Sequence, residues 1–105
     1  MADTVYPRPW QRENGRERLV ISVMGADRPG ILATITRVLA DHSVNIVDIT
    51  QKIIDGMFLS LIVADCASSD TTVASLRRQL ERASEDLGLK AIVQQERLFR
   101  FMHRV

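Results

Sequence analysis

Along the chain the spacing of apolar and polar positions changes several times, and each change marks a new element. Leu19-Val20-Ile21-Ser22-Val23-Met24 is apolar and rich in β-branched residues, as in a buried strand over about 18–24. From Pro29 to Asp41 the period lengthens: Ile31, Ile35, Val38 and Leu39 form one helical stripe, with Thr34, Arg37 and Asp41 mostly on the other side. Asp41-His42-Ser43 closes that helix. Val44 to Ile54 reads as a long second strand, Asp55-Gly56 as a hairpin turn, and Met57 to Ala64 as the third strand. Ser68-Ser69-Asp70 supplies N-cap candidates for a helix from about Thr71 to Leu87, whose buried face is Val73, Leu76, Leu80, Ala83 and Leu87. Gly88 fits the left-handed residue after a helix, and Leu89 to Glu96 is the fourth strand.

The order β-α-β-β-α-β with two right-handed crossovers predicts an α+β fold, the ferredoxin-like sandwich. It is a four-stranded antiparallel sheet with both helices on one face. The other face is then left without a helix, yet the third strand is apolar at both parities: Met57, Leu59, Leu61 and Val63 as well as Phe58, Ile62 and Ala64. Each large apolar side chain that gains burial contributes ~1.5–3 kcal/mol, so a few favour association. A homo-oligomer that covers this face or pairs sheets edge to edge explains the pattern. Cover by the N-terminal tail or the C-terminal segment is the alternative.

The chemistry concentrates at Gly25-Ala26-Asp27-Arg28-Pro29-Gly30-Ile31, between the first strand and the first helix. Asp27 is a candidate N-cap, and Pro29 suits the first helical turn, where a missing N–H costs least. Gly30 has no side chain, so a ligand or a second chain can approach its backbone. A helix N-terminus offers free N–H groups and a partial positive charge, which together suit an anion. The turn is therefore a candidate site for a small molecule bearing a carboxylate.

Composition narrows the function classes. At 105 residues, 46% hydrophobic and 26% charged, the chain is one ordinary globular domain with a modest core. A net charge of +1 gives no electrostatic case for nucleic acid or an anionic membrane. No apolar run approaches a membrane span, and the first residues lack the pattern of a signal peptide. The single cysteine, Cys66, excludes an internal disulfide and a multi-cysteine metal site, which fits a reducing cytoplasm and a small core residue. Residues 1–17 carry Pro7, Pro9 and several arginines without a period and read as a flexible extension, with Trp10 its one anchor. The last residues alternate Arg97, Arg100, His103 and Arg104 with Phe99, Phe101 and Met102, as in a segment that docks on a partner chain. His42, His103 and Cys66 match no nucleophile–base or metal-ligand spacing, and no phosphate-binding glycine motif is present. Neither an enzyme nor a cofactor is expected. An RNA-recognition domain of the same topology needs exposed aromatics on its central strands, and only Phe58 is available.

The residues also resemble a known family. Gly25-x-Asp27-Arg28-Pro29-Gly30-Ile31 at the first turn and Val44-Asn45-Ile46-x-Asp48-Ile49 at the second strand, on this topology, look like an ACT domain over about 18–105. Ile49-Thr50-Gln51-x-Ile53-x-Asp55-Gly56-x-Phe58 and the terminal Phe99-x-x-Met102-His103-Arg104-Val105 resemble the small stand-alone ACT proteins. Related domains occur in glycine-cleavage transcriptional repressors and in formyltetrahydrofolate deformylases; the extension over 1–17 departs from the stand-alone pattern. The resemblance implies a regulatory module that binds an amino acid or similar metabolite, commonly as a homodimer, and passes its occupancy to a protein partner. It places ligands where the first turn meets the start of the second strand, often across an interface, and so implicates Asp27, Arg28, Gly30, Ile31, Asn45 and Ile46. The helix N-terminus and Arg28 would hold a carboxylate, and Asp27 or Asn45 would accept from an ammonium. Each residue also has a purely structural alternative: Asp27 a cap, Arg28 a solvated side chain, Gly30 relief of crowding, Asn45 a partner for a backbone group. Asp48 reads as hydrogen-bonded structure or interface. A ligand-free interaction or assembly subunit is the rival function.

Overall fold

The computed structural model describes residues 18–97. The N-terminal extension with Trp10, and the basic, aromatic stretch from Phe99 to Val105, lie outside the described residues. In chain order the elements are β1 (Arg18–Ala26), α1 (Ile31–Asp41), β2 (Asn45–Ile54), β3 (Met57–Asp65), α2 (Val73–Asp86) and β4 (Lys90–Gln95). The strands form one antiparallel sheet in the order β2-β3-β1-β4, the ferredoxin-like arrangement expected from the sequence. Central β1 pairs Ile21 with Ile62 on one side and with Val93 on the other.

One sheet face carries the core. Leu19, Ile21 and Val23 of β1, Phe58, Ile62 and Ala64 of β3, and Ala91 and Val93 of β4 meet Ile31, Ile35 and Leu39 of α1 and Leu76 and Leu80 of α2. Cys66, the single cysteine of the chain, is buried at the margin of this core. The opposite parity of β3 stays outside: Met57 and Leu59 are exposed, and Leu61 and Val63 half-buried. Gly25 is fixed by packing. A Cβ there would lie 2.5 Å from Leu89 Cδ2 and 3.2 Å from Leu89 Cα, so only glycine lets β1 pass under the β4 entry.

The helix ends correct two expectations. Helix α1 begins at Ile31, with Gly30 as a left-handed N-cap (φ 90°) and no side-chain cap. Asp27 is therefore not the cap, and Pro29 lies outside the helix. The reason is tertiary: the Asp27 N–H donates to the Gly56 carbonyl at 2.8 Å, which holds Asp27 against the β2–β3 hairpin before the helix can start. For α2 the cap is Thr72, whose hydroxyl accepts from the Ser75 N–H, rather than a residue of Ser68-Ser69-Asp70. At its other end Gly88 is left-handed as expected. Gly88 N–H reaches the Glu85 carbonyl and Leu89 N–H the Ser84 carbonyl, a Schellman closure.

Candidate functional site

The β1–α1 turn forms one corner of the molecule. Its backbone is tied to the tip of the β2–β3 hairpin by the Asp27–Gly56 bond. Asp55 and Gly56 both have positive φ, as a tight two-residue hairpin requires. Gly30 faces open space, with no atom within 4 Å of where a Cβ would stand. Its carbonyl is used by Thr34, whose N–H and hydroxyl donate to it at 3.0 and 2.8 Å. The first-turn N–H groups of α1 receive no side-chain cap, which leaves donors and the positive end of the helix at the surface.

The six residues implicated by the sequence divide into two groups. Asp27, Arg28 and Gly30 are exposed at the turn. Ile31 follows them but is buried, 2% exposed, and belongs to the core. Arg28 leans across to α2, its Nη1 3.5 Å from the Leu87 carbonyl, where the negative end of a helix attracts a cation. Asn45 and Ile46 lie elsewhere. Asn45 pairs with Asp65, whereas the turn adjoins Ala26, which pairs with Met57 at the far end of β3. The start of β2 and the turn thus stand at opposite ends of the sheet, separated by the length of α1, roughly 16 Å for its turns. Within one chain they do not form a single site.

Asn45 and Ile46 instead border an open groove of about 530 Å³ between α1 and the start of β2. Ala33, Thr36, Arg37 and Ala40 of α1 form its other wall. Sequence periodicity put Arg37 on the solvated side of the helix; only the placement of β2 beside that side makes it a groove residue. Thr36 turns its hydroxyl back to the Leu32 carbonyl at 2.8 Å, so Arg37 and Asn45 are the groove's polar side chains that face outward. Asp48 bonds to the N–H of Ile49 at 2.8 Å beside a β-bulge at Val47, a structural use. Among the described residues no cluster of three or more metal-ligating side chains occurs.

Comparison with known proteins decides the family. A model of the ACT domain matches residues 17–94. The chain belongs to the ACT domain family. It is 47% identical over 88 residues to a UPF0237 protein of Methanopyrus kandleri, covering 84% of this chain and 98% of that protein, a relative with little besides this domain. Its fold matches an ACT domain protein from Streptococcus pneumoniae with a TM-score of 0.70 and 27% identity, over 81% of this chain and 96% of that one. A putative glycine cleavage system transcriptional repressor shares the fold alone, with a TM-score of 0.69 and 22% identity over 78% of this chain and 47% of that one. As an ACT domain, the chain has its turn, hairpin and helix N-terminus assembled at one corner, and its second polar locus at the groove. Among the described residues no helix is long and apolar enough to cross a membrane.

Proposed function

We propose that this ACT domain is a cytoplasmic regulatory module that binds an amino acid as a homodimer and reports its occupancy to a protein partner. The observation that carries the proposal is the edge strand β2. It is ten residues long, exposed at every position except half-buried Ile46, and it presents Val47, Ile49, Ile53 and Ile54 to solvent, with Ile53 59% and Ile54 57% exposed. A long edge of unpaired N–H and C=O groups bearing exposed aliphatic side chains is a template for another strand. A second copy satisfies it by antiparallel pairing about a two-fold axis.

That pairing also reunites the divided site. The Asn45 end of one β2 then lies beside the Ile54 end of its partner, and the hairpin there is bonded to the partner copy's turn through Asp27 and Gly56. Each of two symmetric sites draws Asp27, Arg28, Gly30 and Ile31 from one copy and Asn45 and Ile46 from the other. The uncapped N–H groups of α1 and Arg28 hold the carboxylate; Asp27 and the Asn45 oxygen accept from the ammonium. Two or three charge-assisted hydrogen bonds of ~1.5–3 kcal/mol each give micromolar to millimolar affinity, the range of a metabolite sensor. Signalling has to pass through the interface or the turn that the ligand joins.

Thermal melts against the twenty amino acids test this reading. A ligand at ten times its Kd stabilises the folded dimer by roughly 1.4 kcal/mol per site and raises Tm by several degrees. Arg28→Ala and Asn45→Ala remove the shift and leave the dimer intact. A dimer that no amino acid stabilises would overturn the sensor reading in favour of a ligand-free assembly subunit, which the same apolar edge supports.

A further inference from the structure

His42, the C-cap of α1, faces hydrogen-bond acceptors with both ring nitrogens. Nδ1 lies 3.3 Å from Asp70 Oδ1 in the loop before α2, and Nε2 lies 2.8 Å from Gln79 Oε1 on α2 itself. The Gln79 amide nitrogen donates to Ser75 Oγ at 3.3 Å, which turns its oxygen toward the ring. A neutral imidazole has one N–H and can donate to only one of two acceptors, whereas the imidazolium donates to both. We propose that His42 is a proton-operated clasp that ties the α1–β2 corner to α2 and governs the order of the segment leading into Asn45.

The corner is a place where such a clasp has leverage. The chain reverses there through three backbone bonds: His42 and Val44 N–H to the Leu39 carbonyl, and Ser43 N–H to the Ala40 carbonyl. Ser43 sits at φ 57°, a left-handed position taken without a glycine. Asn45 and the groove follow directly. The clasp is the side-chain link from this corner to α2, and it joins residues 28 and 37 positions apart.

The surroundings agree in sign. The charges acting on the ring are Asp70 from the loop and Asp41 from its own helix, both acidic, while Gln79 and Ser75 of α2 are neutral. The Gln79 hydrogen bond, then the Asp70 hydrogen bond, raise the pKa of His42 above the ordinary 6.5, against a smaller opposing effect of burial. A raised histidine pKa makes the stabilisation complete below 6.5 and removes it as pH rises through the folded-state value. On losing its proton the ring gives up one contact. It keeps both only if the Gln79 amide turns over, and that breaks the present donation to Ser75.

The consequence for Asn45 rests on the ligand-binding reading, but the clasp is measured on the chain without any amino acid, so the two fail separately. Nitrogen NMR of the histidine rings from pH 5 to 9, with amide exchange at 43–45 corrected for its intrinsic pH dependence, reads it directly. The expected result is a His42 midpoint above 6.5, both ring nitrogens protonated below it, and faster exchange at 43–45 above it. Gln79→Ala should return the midpoint toward 6.5 and abolish the pH-dependent step in exchange; Gln79→Glu, which keeps the side-chain length and adds charge, should raise the midpoint further. A wild-type midpoint at or below 6.5, a midpoint that neither substitution moves, or exchange at the corner that follows only the intrinsic rate would overturn the clasp.

Discussion

The two edges of the sheet are finished in opposite ways. Strand β4 is six residues long and lies against α2, and the Arg77 guanidinium donates to the outward Val93 carbonyl at 3.1 Å. Strand β2 is ten residues long and meets solvent with Val47, Ile49, Ile53 and Ile54. Its own defences are one bulge between Ile46 and Asp48 and the charges of Asp48 and Lys52. An edge acceptor covered by an arginine is complete within the chain. A ten-residue edge with four exposed aliphatic side chains is open to pairing with a second chain, and the proposed dimer rests on that contrast.

Substitutions on the two sides should act on different steps, folding on one and association on the other. On the β4 side the largest effect is Gly25→Ala, where the added methyl meets Leu89 backbone as well as side chain. Overpacking of this kind costs ~1–3 kcal/mol, so urea unfolding should show a loss near the top of that range in the folding step. On the β2 side, Ile53→Lys should leave the fold of each copy unchanged, because the residue is already exposed, and weaken association by about 2 kcal/mol, roughly thirtyfold in dissociation constant by sedimentation equilibrium. Smaller again is Arg77→Ala. It exposes the Val93 carbonyl, lowers stability by ~0.5–1.5 kcal/mol, and should let β4 edges associate into species larger than a dimer, visible in light scattering. The smallest effect is the pH dependence at His42. Tm should decline as pH rises from below 6.5 through the raised pKa, and His42→Gln should flatten that decline.

The architecture was legible because each element announces itself locally. The period changes at Leu19, Ile31 and Val73, the Asp55-Gly56 turn and the Gly88 terminus need no distant partner to be recognised. What the sequence concealed is non-local. Asp27 looked like an N-cap because capping is a local pattern, yet its backbone answers to Gly56, far along the chain. The turn and Asn45 were both identifiable as polar loci, but their separation to opposite ends of the sheet follows only from the register of β2 on β3. Arg37 looked merely solvated until β2 supplied the other wall of its groove. His42 closed a helix in either view; its two acceptors come from α2 and the loop before it, which helical spacing cannot bring into view.

The mass of the particle in solution shows whether β2 pairs with a second copy. Light scattering on the wild-type chain at micromolar concentration should give twice the 11.9 kDa of one copy, and the Ile49→Lys, Ile53→Lys double variant should give 11.9 kDa with an unchanged circular dichroism spectrum. A wild-type particle of one copy, or a double variant that remains paired, would contradict the claim that β2 is completed by a second chain.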